Sequence, residues 1–266
     1  MNILEYISLG ENEKPLDRIV TDGGFCSIFR TIACIGDSLS SGEFESKDEN
    51  GNTRYHDFYD YSWGQFIARN MGSKVYNFSR GGMNAKSYIE DFSIVNNFWS
   101  NDKLCQAYII ALGVNDIIYS DEVALGEVSD VVLTNYQNNA KTFAGYYAQI
   151  IQRVQAMQPR AKIFLVTIPR ENDERDEKRR AHRDLLQKFS EIFENTYLID
   201  LFEYAPVYDA KFKETFFLGH MTPTGYVLTA RMIESYIDFI IRKNPQDFSQ
   251  VGFIGTDLSF TKKVAE

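Results

Sequence analysis

Five short runs of apolar and β-branched residues recur along the chain, and each gap between them leaves room for a helix. Most runs are continuously apolar and do not alternate with polar residues, which is typical of strands that are covered on both faces. Strands joined by helices in this way predict an α/β fold with a parallel sheet. The predicted strands are residues 31–36, 74–79, 107–112, 161–167 and 196–201.

The segments between these strands carry apolar residues at intervals of three and four, which is the spacing of one helix face. Thr222 and Pro223 give the last helix a defined start, because threonine caps helices and proline suits the first helical position. The predicted helices are residues 61–71, 135–157, 174–194 and 223–242.

The chain has 266 residues and contains no internal repeat, proline-rich linker or low-complexity tract. These features predict a single domain over residues 1–266. We expect its core to span about residues 31–243, with an N-terminal extension (residues 1–30) and a C-terminal extension (residues 244–266).

The formal net charge is −9, from 28 lysines and arginines and 37 aspartates and glutamates. This charge repels phosphate backbones and anionic lipids, so nucleic acids and membranes are not expected as partners. The first 15 residues contain no apolar stretch long enough for a signal peptide, which predicts a cytoplasmic protein. Cys26, Cys34 and Cys105 lack C-x-x-C spacing, and we interpret them as reduced structural thiols.

A serine directly follows the first predicted strand, in the sequence Gly36-Asp37-Ser38-Leu39. Ligands of open α/β sheets bind at the carboxyl ends of the strands, so this position suits a nucleophile. Judged by its position alone, Ser38 is explained better as the N-cap of a helix. The sequence also differs from the G-x-S-x-G elbow of α/β-hydrolases.

Two more loops with glycines follow the second and third predicted strands, and we expect them to converge on Ser38. In the first loop, Gly82 can present a bare backbone N–H, and in the second, Asn115 can donate from its side-chain amide. An acyl-transfer site needs such donors for the developing oxyanion. The structural alternatives are a tight turn at Gly82 and a helix cap at Asn115-Asp116. Each is plausible for its own loop, but less plausible for both loops together.

The general base must come from the three histidines of the chain. His182 lies in a charged helical segment, where we expect solvent exposure, and His56 lies in an aromatic segment, where it lines a pocket or packs. His220 follows the fifth strand and precedes the last helix, at the edge of the sheet where Ser38 lies. Histidine is the usual general base near neutral pH, so a histidine at this position suits the removal of a serine proton.

In their order, these segments resemble the four sequence blocks of SGNH (GDSL) hydrolases, over about residues 32–242. The blocks are Gly36-Asp37-Ser38-Leu39, the Gly82 turn, Gly113-Val114-Asn115-Asp116, and His220 with the following Thr222-Pro223-x-Gly225-Tyr226.

The resemblance implies a three-layer α/β/α, flavodoxin-like fold with a five-stranded parallel sheet of order 2-1-3-4-5. It also implies a serine esterase without a metal or organic cofactor. Ser38 would be the nucleophile and His220 its base. The oxyanion hole would comprise the Ser38 and Gly82 backbone N–H groups and the Asn115 side chain, with Asp37 and Asp116 in supporting roles.

One position departs from the pattern of the family, which usually has an aspartate three residues before the histidine. Phe217 stands there. Three interpretations stay open: a Ser–His dyad oriented by a backbone carbonyl, an acid supplied from elsewhere, or a site that has lost activity. The acidic residues upstream in the same connection are Asp200, Glu203, Asp209 and Glu214.

Aromatic residues and carboxylates are concentrated between Tyr55 and Trp63. Such a segment suits stacking on sugars, although aromatic clusters also pack cores and subunit interfaces. The first interpretation predicts removal of short acyl groups, acetyl above all, from a small-molecule or carbohydrate ester, with His56, Trp63 and Arg80 contacting the substrate. A lipase or lysophospholipase, and an inactive carbohydrate- or ligand-binding module, are the alternatives.

Overall fold

The computed structural model describes residues 7, 10 and 12–260. The first 15 residues, which are predicted to lack a signal peptide, therefore lie partly outside the described residues. Residues 261–266, at the end of the C-terminal extension, lie wholly outside them. Among the described residues, no helix has both the length and the apolar character needed to cross a membrane.

A five-stranded parallel sheet forms the centre of the molecule, and two short antiparallel hairpins lie outside it. The sheet order is β4-β1-β5-β6-β7, so the five predicted strands are arranged 2-1-3-4-5. The predicted α/β fold is confirmed. In chain order the strands are β1 (Thr31–Gly36), β2 (Glu43–Lys47), β3 (Thr53–Asp57), β4 (Lys74–Ser79), β5 (Ala107–Ala111), β6 (Lys162–Val166), β7 (Thr196–Ile199), β8 (Phe217–Leu218) and β9 (His220–Met221).

Helices follow most strands of the central sheet, and α3 and α4 are joined by a π-helical stretch, Tyr88–Phe92. The α-helices are α1 (Ser38–Ser41), α2 (Trp63–Met71), α3 (Ala85–Ser87), α4 (Ser93–Val95), α5 (Phe143–Met157), α6 (Asp176–Ile192), α7 (Leu201–Tyr204), α8 (Ala210–Phe216) and α9 (Pro223–Lys243).

The helix predicted over residues 135–157 begins later than its apolar spacing indicates, at Phe143. The Thr142 hydroxyl accepts a hydrogen bond from the Gly145 backbone N–H and so caps the helix at this point. Upstream, the Asn135 side chain caps only a short 3-10 turn. Polar caps thus decide the boundary, which the apolar periodicity alone does not locate.

Both faces of the sheet are buried, and this explains the continuous apolar runs. On β1, Ile32 and Cys34 point to the layer that contains α2 and α9, whereas Ala33 and Ile35 point to the layer that contains α5 and α6. Each side therefore has its own apolar core. The carboxyl ends of the strands are left free to carry loops, as in other open α/β sheets.

Residues outside the predicted core contact it directly. Glu13 Oε1 lies 2.6 Å from Arg242 Nη2 on α9, and the Phe25 backbone N–H donates to Asp238 on the same helix at 2.8 Å. At the other end of the chain, Arg160 donates to the Leu258 carbonyl at 2.7 Å. Cys26, Cys34 and Cys105 are free, and burial raises the pKa of each thiol.

Candidate active site

Ser38 lies at the carboxyl end of β1, as the first residue of α1. The carboxylate before it, Asp37, caps this helix by accepting the Leu39 backbone N–H at 3.0 Å. Asp37 is buried, and burial raises its pKa to about 7. The N-cap is therefore Asp37, which leaves the Ser38 hydroxyl available to face the adjoining cavity.

The turn after β4 holds Gly82 with a φ of +70°, a left-handed conformation that favours glycine. A Cβ at Gly82 would meet no atom within 4 Å, so its Cα faces open space. Among the described residues, neither the Gly82 backbone N–H nor that of Ser38 has a hydrogen-bond partner. Two backbone donors are thus free at this edge of the sheet.

Asn115 lies in a π-helical turn after β5, where its Nδ2 donates to the Met83 carbonyl at 3.0 Å. The amide nitrogen has a second hydrogen that remains for another acceptor. The next residue, Asp116, accepts the Ala85 backbone N–H at 2.9 Å. These two bonds tie the Gly82 turn to the Asn115 turn. Burial raises the pKa of Asp116 to about 7.

His220 lies on β9, and both nitrogens of its ring face carboxylates. Nδ1 is 2.8 Å from Glu45 Oε1, and Nε2 is 3.1 Å from Glu43 Oε1. Tyr55 packs edge-on against the ring, with centroids 5.9 Å apart. Among the described residues, no hydrogen bond joins the Ser38 hydroxyl to His220.

Strand alternation on β2 explains how two glutamates reach one imidazole. Glu43 and Glu45 are two residues apart and so project from the same face, whereas Phe44 projects from the other and packs against Phe58, Tyr61 and Tyr226. Two glycines give the carboxylates room: a Cβ at Gly219 would overlap Glu45, and a Cβ at Gly81 would overlap Glu43.

The carboxylate on His220 Nδ1 does not come from the upstream connection that contains the four candidate acids. Asp200 pairs with Arg183 at 2.8 Å, and Asp209 caps α8. The two glutamates in that segment, Glu203 and Glu214, are exposed. Among the described residues, none of these four side chains hydrogen-bonds to the imidazole.

The β2–β3 hairpin that supplies the two glutamates is not among the predicted elements. A usable signal was present, because Asn50-Gly51 stands between two short runs in which apolar and polar residues mix. An Asn-Gly pair flanked by strand-like runs is a strong hairpin signal. The two short polar strands lack the continuous apolar character by which the strands of the central sheet are predicted.

The prediction that His182 is exposed is wrong. Its side chain is fully buried, and its Nε2 lies 3.1 Å from the Leu112 carbonyl. Burial lowers its pKa to about 4, so the neutral ring donates from Nε2. The face of α6 that carries it packs against Gly113, in the loop after β5, and against Phe143 on α5. Of the charged residues next to it in sequence, Arg180 is exposed, whereas Arg179 is buried as well and pairs with Glu171, Asp173 and Asp176.

The structure does not bring His56, Trp63 or Arg80 to the cavity that contains Ser38. On β3, His56 projects from the face opposite Tyr55 and contacts the Ser46 hydroxyl at 2.8 Å. Trp63 is 2% exposed and belongs to the core, where it lines a smaller cavity next to the large one. Arg80 lies over the Phe92 ring, 4.7 Å from its centroid.

A cavity of about 910 Å³ joins the residues of this site. Its walls include Ser38, Gly82, Asn115 and His220, the four residues singled out from the sequence blocks. Two tyrosines that also line it, Tyr55 and Tyr119, are 61% and 69% exposed. The remaining lining includes Glu43, Glu45, Ile168, Glu171, Arg179, Tyr208, Lys213 and Phe217.

Several solved structures share this fold. A protein from Lactobacillus plantarum is 14% identical with a TM-score of 0.59, over 79% of this chain and 97% of that one. A family two carbohydrate esterase from Clostridium thermocellum, solved with cellohexaose, is 17% identical with a TM-score of 0.57, over 80% and 64%. A family three carbohydrate esterase from the same organism is 14% identical with a TM-score of 0.51, over 80% and 97%.

These identities are low, so the likeness to the solved structures concerns the fold. A comparison with curated protein sequences finds no significant match. The sequence model of the GDSL-like lipase/acylhydrolase family, in contrast, matches residues 34–228, which is well over half of the chain. The chain therefore belongs to the GDSL-like lipase/acylhydrolase family and is a hydrolase of ester bonds.

Proposed function

We propose that the protein is a serine esterase that removes short acyl groups, acetyl above all, from carbohydrate esters. The observation that carries this proposal is that one cavity joins Ser38, His220 with Glu45 on its Nδ1, Gly82 and Asn115. A nucleophile, an oriented base and hydrogen-bond donors for an oxyanion are the parts that acyl transfer needs.

In the proposed reaction, the Ser38 hydroxyl oxygen attacks the acyl carbon of the ester, and His220 Nε2 takes the hydroxyl proton. The carbonyl oxygen becomes an oxyanion, which accepts from the Ser38 and Gly82 backbone N–H groups and from the second N–H of Asn115. The bond from the acyl carbon to the alcohol oxygen then breaks, and Nε2 returns the proton to the leaving alcohol. Water releases the acid from Ser38 by the same steps.

Glu45 takes the place of the missing family aspartate in this mechanism. Its carboxylate accepts from Nδ1–H, so the lone pair of the neutral ring lies on Nε2, where the reaction needs it. The negative charge also stabilises the imidazolium that forms during the attack. This arrangement favours an active enzyme over an inactive binding module, because the acid supplied from elsewhere removes the reason to suspect lost activity.

Two features support a short acyl group and a sugar alcohol. A second cavity of about 70 Å³ shares Leu39, Val114, Ile168, Pro169 and Tyr208 with the large one, and its lining is mainly apolar. It is far smaller than the roughly 300–1,000 Å³ of a typical ligand pocket, which suits a short acyl chain. The exposed rings of Tyr55 and Tyr119 offer flat faces for sugars.

Hydrolysis of p-nitrophenyl esters of increasing chain length tests the mechanism, with acetylated sugars as a second substrate set. We expect acetate to be released fastest, and Ser38→Ala and His220→Ala to lose at least about 1,000-fold in kcat. His56→Ala, at an exposed position, and Ser120→Ala, at a half-buried one, lie outside the cavity and are the matched controls. Parental turnover in both site variants would reject the mechanism, and hydrolysis of long-chain esters alone would reject the acyl preference.

We also propose that the whole chain is one domain, with a core over residues 31–243 and extensions before and after it. The contacts of Glu13 with Arg242 and of Arg160 with Leu258 support this assignment.

A further inference from the structure

Glu43 is the second carboxylate at His220, and the proposed mechanism leaves it without a role. Its Oε1 is 3.1 Å from Nε2, the nitrogen that must exchange protons with Ser38 and with the leaving alcohol. The side chain is 11% exposed and lines the large cavity. Glu43 therefore lies where substrate atoms pass during the reaction.

The position of Glu43 is fixed by its surroundings. Its backbone carbonyl accepts the Tyr226 hydroxyl at 2.7 Å. Its carboxylate lies against Gly81, where any Cβ would overlap Oε2. The base of the hairpin is thus anchored on α9, and the glycine turn leaves a space that the carboxylate fills.

The leaving alcohol defines what Glu43 can meet. The oxygen of the leaving alcohol must approach Nε2 to receive a proton. The alcohol carbon that bears this oxygen then lies near Glu43, and the next carbon of the alcohol lies beside the Glu43 carboxylate. When Nε2 carries no proton it cannot donate to Glu43, so the ionised carboxylate, which only accepts hydrogen bonds, needs a donor from the substrate, on that neighbouring carbon. A hydroxyl there fits, because bonds from a hydroxyl to a charged acceptor are short and strong.

The charges around Glu43 restrict the alcohol further. Burial is the largest cause that raises the pKa of Glu43. Asp57 on β3 and Glu45 on the same strand add negative charge next to it and act in the same direction. His220 and His56 act in the opposite direction. An alcohol that carries a phosphate or a carboxylate next to the ester is repelled by this surrounding charge.

We propose that Glu43 is a specificity residue that selects alcohols carrying a free hydroxyl on the carbon next to the ester, as in a monoacylated vicinal diol. This inference rests on the proposed serine esterase function. It narrows the substrate from esters in general to partly acylated polyols and sugars with a free neighbouring hydroxyl.

The test compares 2-hydroxyethyl acetate with ethyl acetate, two esters of similar size that differ by one hydroxyl at the position in question. Acetate release gives kcat/KM for each, and their ratio is the readout. We expect the protein to prefer the hydroxyl-bearing ester by roughly 10- to 100-fold, the range of a hydrogen bond to a charged group. Glu43→Ala should bring the ratio close to one, and Glu43→Gln should give an intermediate value.

Glu49→Gln, an exposed glutamate in the turn of the same hairpin, is the matched control and should keep the parental ratio. A parental ratio near one overturns the inference without any variant, and so does a Glu43→Ala protein that keeps the parental preference. The protein could instead prefer acetylcholine over its neutral analogue 3,3-dimethylbutyl acetate, in a way that depends on Glu43, and show no hydroxyl preference. That outcome would mean that Glu43 recognises a cation, and it also overturns the inference.

The serine esterase mechanism and the role of Glu43 can be refuted separately. If Ser38→Ala hydrolyses p-nitrophenyl acetate as fast as the parental protein, the serine esterase mechanism is wrong whatever the ratio. If p-nitrophenyl acetate hydrolysis depends on Ser38 but the two acetates are hydrolysed equally well, only the role of Glu43 is wrong.

Discussion

Replacement of Glu45 by glutamine tests the orientation of the base most directly. The substitution keeps the size and one acceptor oxygen of the side chain but removes its charge. In the parental protein, Glu45 Oε1 lies 2.8 Å from His220 Nδ1, and the two side chains are 21% and 20% exposed. The variant should therefore fold normally and lose stabilisation of the imidazolium.

The size of the effect follows from this geometry. Two unit charges about 4 Å apart attract each other by about 1 kcal/mol in water and by about 4 kcal/mol near a protein surface. The pair is partly exposed, so its contribution falls between these limits. Since about 1.4 kcal/mol changes a rate tenfold, we expect kcat of Glu45→Gln to fall by about 5- to 1,000-fold. KM should change little, because the imidazolium forms only in the reaction.

Steady-state kinetics on p-nitrophenyl acetate provide the assay, and thermal unfolding checks that the variant is folded. Glu45→Asp should recover part of the activity, since the charge returns on a shorter side chain. Glu214→Gln is the control, because Glu214 is exposed and lies in the connection before His220. A kcat of Glu45→Gln within twofold of the parental value would show that Glu45 does not orient the base.

Three further substitutions give distinct outcomes. Asp116→Asn should make the free energy of unfolding less dependent on pH. Burial raises the pKa of Asp116 from 3.8 to about 7, so its contribution to stability is present below pH 4 and is lost as the pH rises through 7. This loss amounts to at most about 4 kcal/mol. Urea unfolding at pH 5 and pH 8 measures this, and an unchanged difference between the two pH values would contradict it. Gly219→Ala should lower kcat much as Glu45→Gln does, because a Cβ at this residue, whose φ is +77°, overlaps the Glu45 carboxylate; a parental kcat would contradict the prediction. Gly113→Ala should lower the free energy of unfolding by about 2–4 kcal/mol, since its φ is +134° and the Cβ would lie 2.6 Å from buried His182; equilibrium unfolding that matches the parental protein would refute this.

Much of the fold could be predicted because its signals are local. A buried parallel strand appears as a continuous apolar run, and each of the five predicted runs forms a strand of the central sheet. The start of α5 was predicted too early because the Thr142 cap, and not the apolar spacing, determines it. The predicted exposure of His182 is wrong because the charges around it in sequence conceal that its own helix face is buried.

The candidate site could be predicted only where local motifs carry it. Ser38, Gly82, Asn115 and His220 each follow a strand or precede a helix, and they line one cavity. The contact of Glu45 with His220 spans 175 positions and depends on how a hairpin docks, which no spacing rule describes. Tyr55 reaches the cavity, whereas neighbouring His56 does not, because adjacent residues on β3 face opposite sides.

The hairpin origin of Glu45 changes how loss of activity should be understood in this protein. An acid three residues before the base stays near it in any state in which that loop is formed. In the proposed mechanism, the acid Glu45 and the base His220 meet only when β2 is docked beside β9. Undocking of the hairpin would leave the central sheet, its helices and their circular dichroism signal intact and would still stop turnover. Turnover therefore reports on long-range assembly, and substitutions far from the cavity that loosen the hairpin should silence the enzyme before they unfold it.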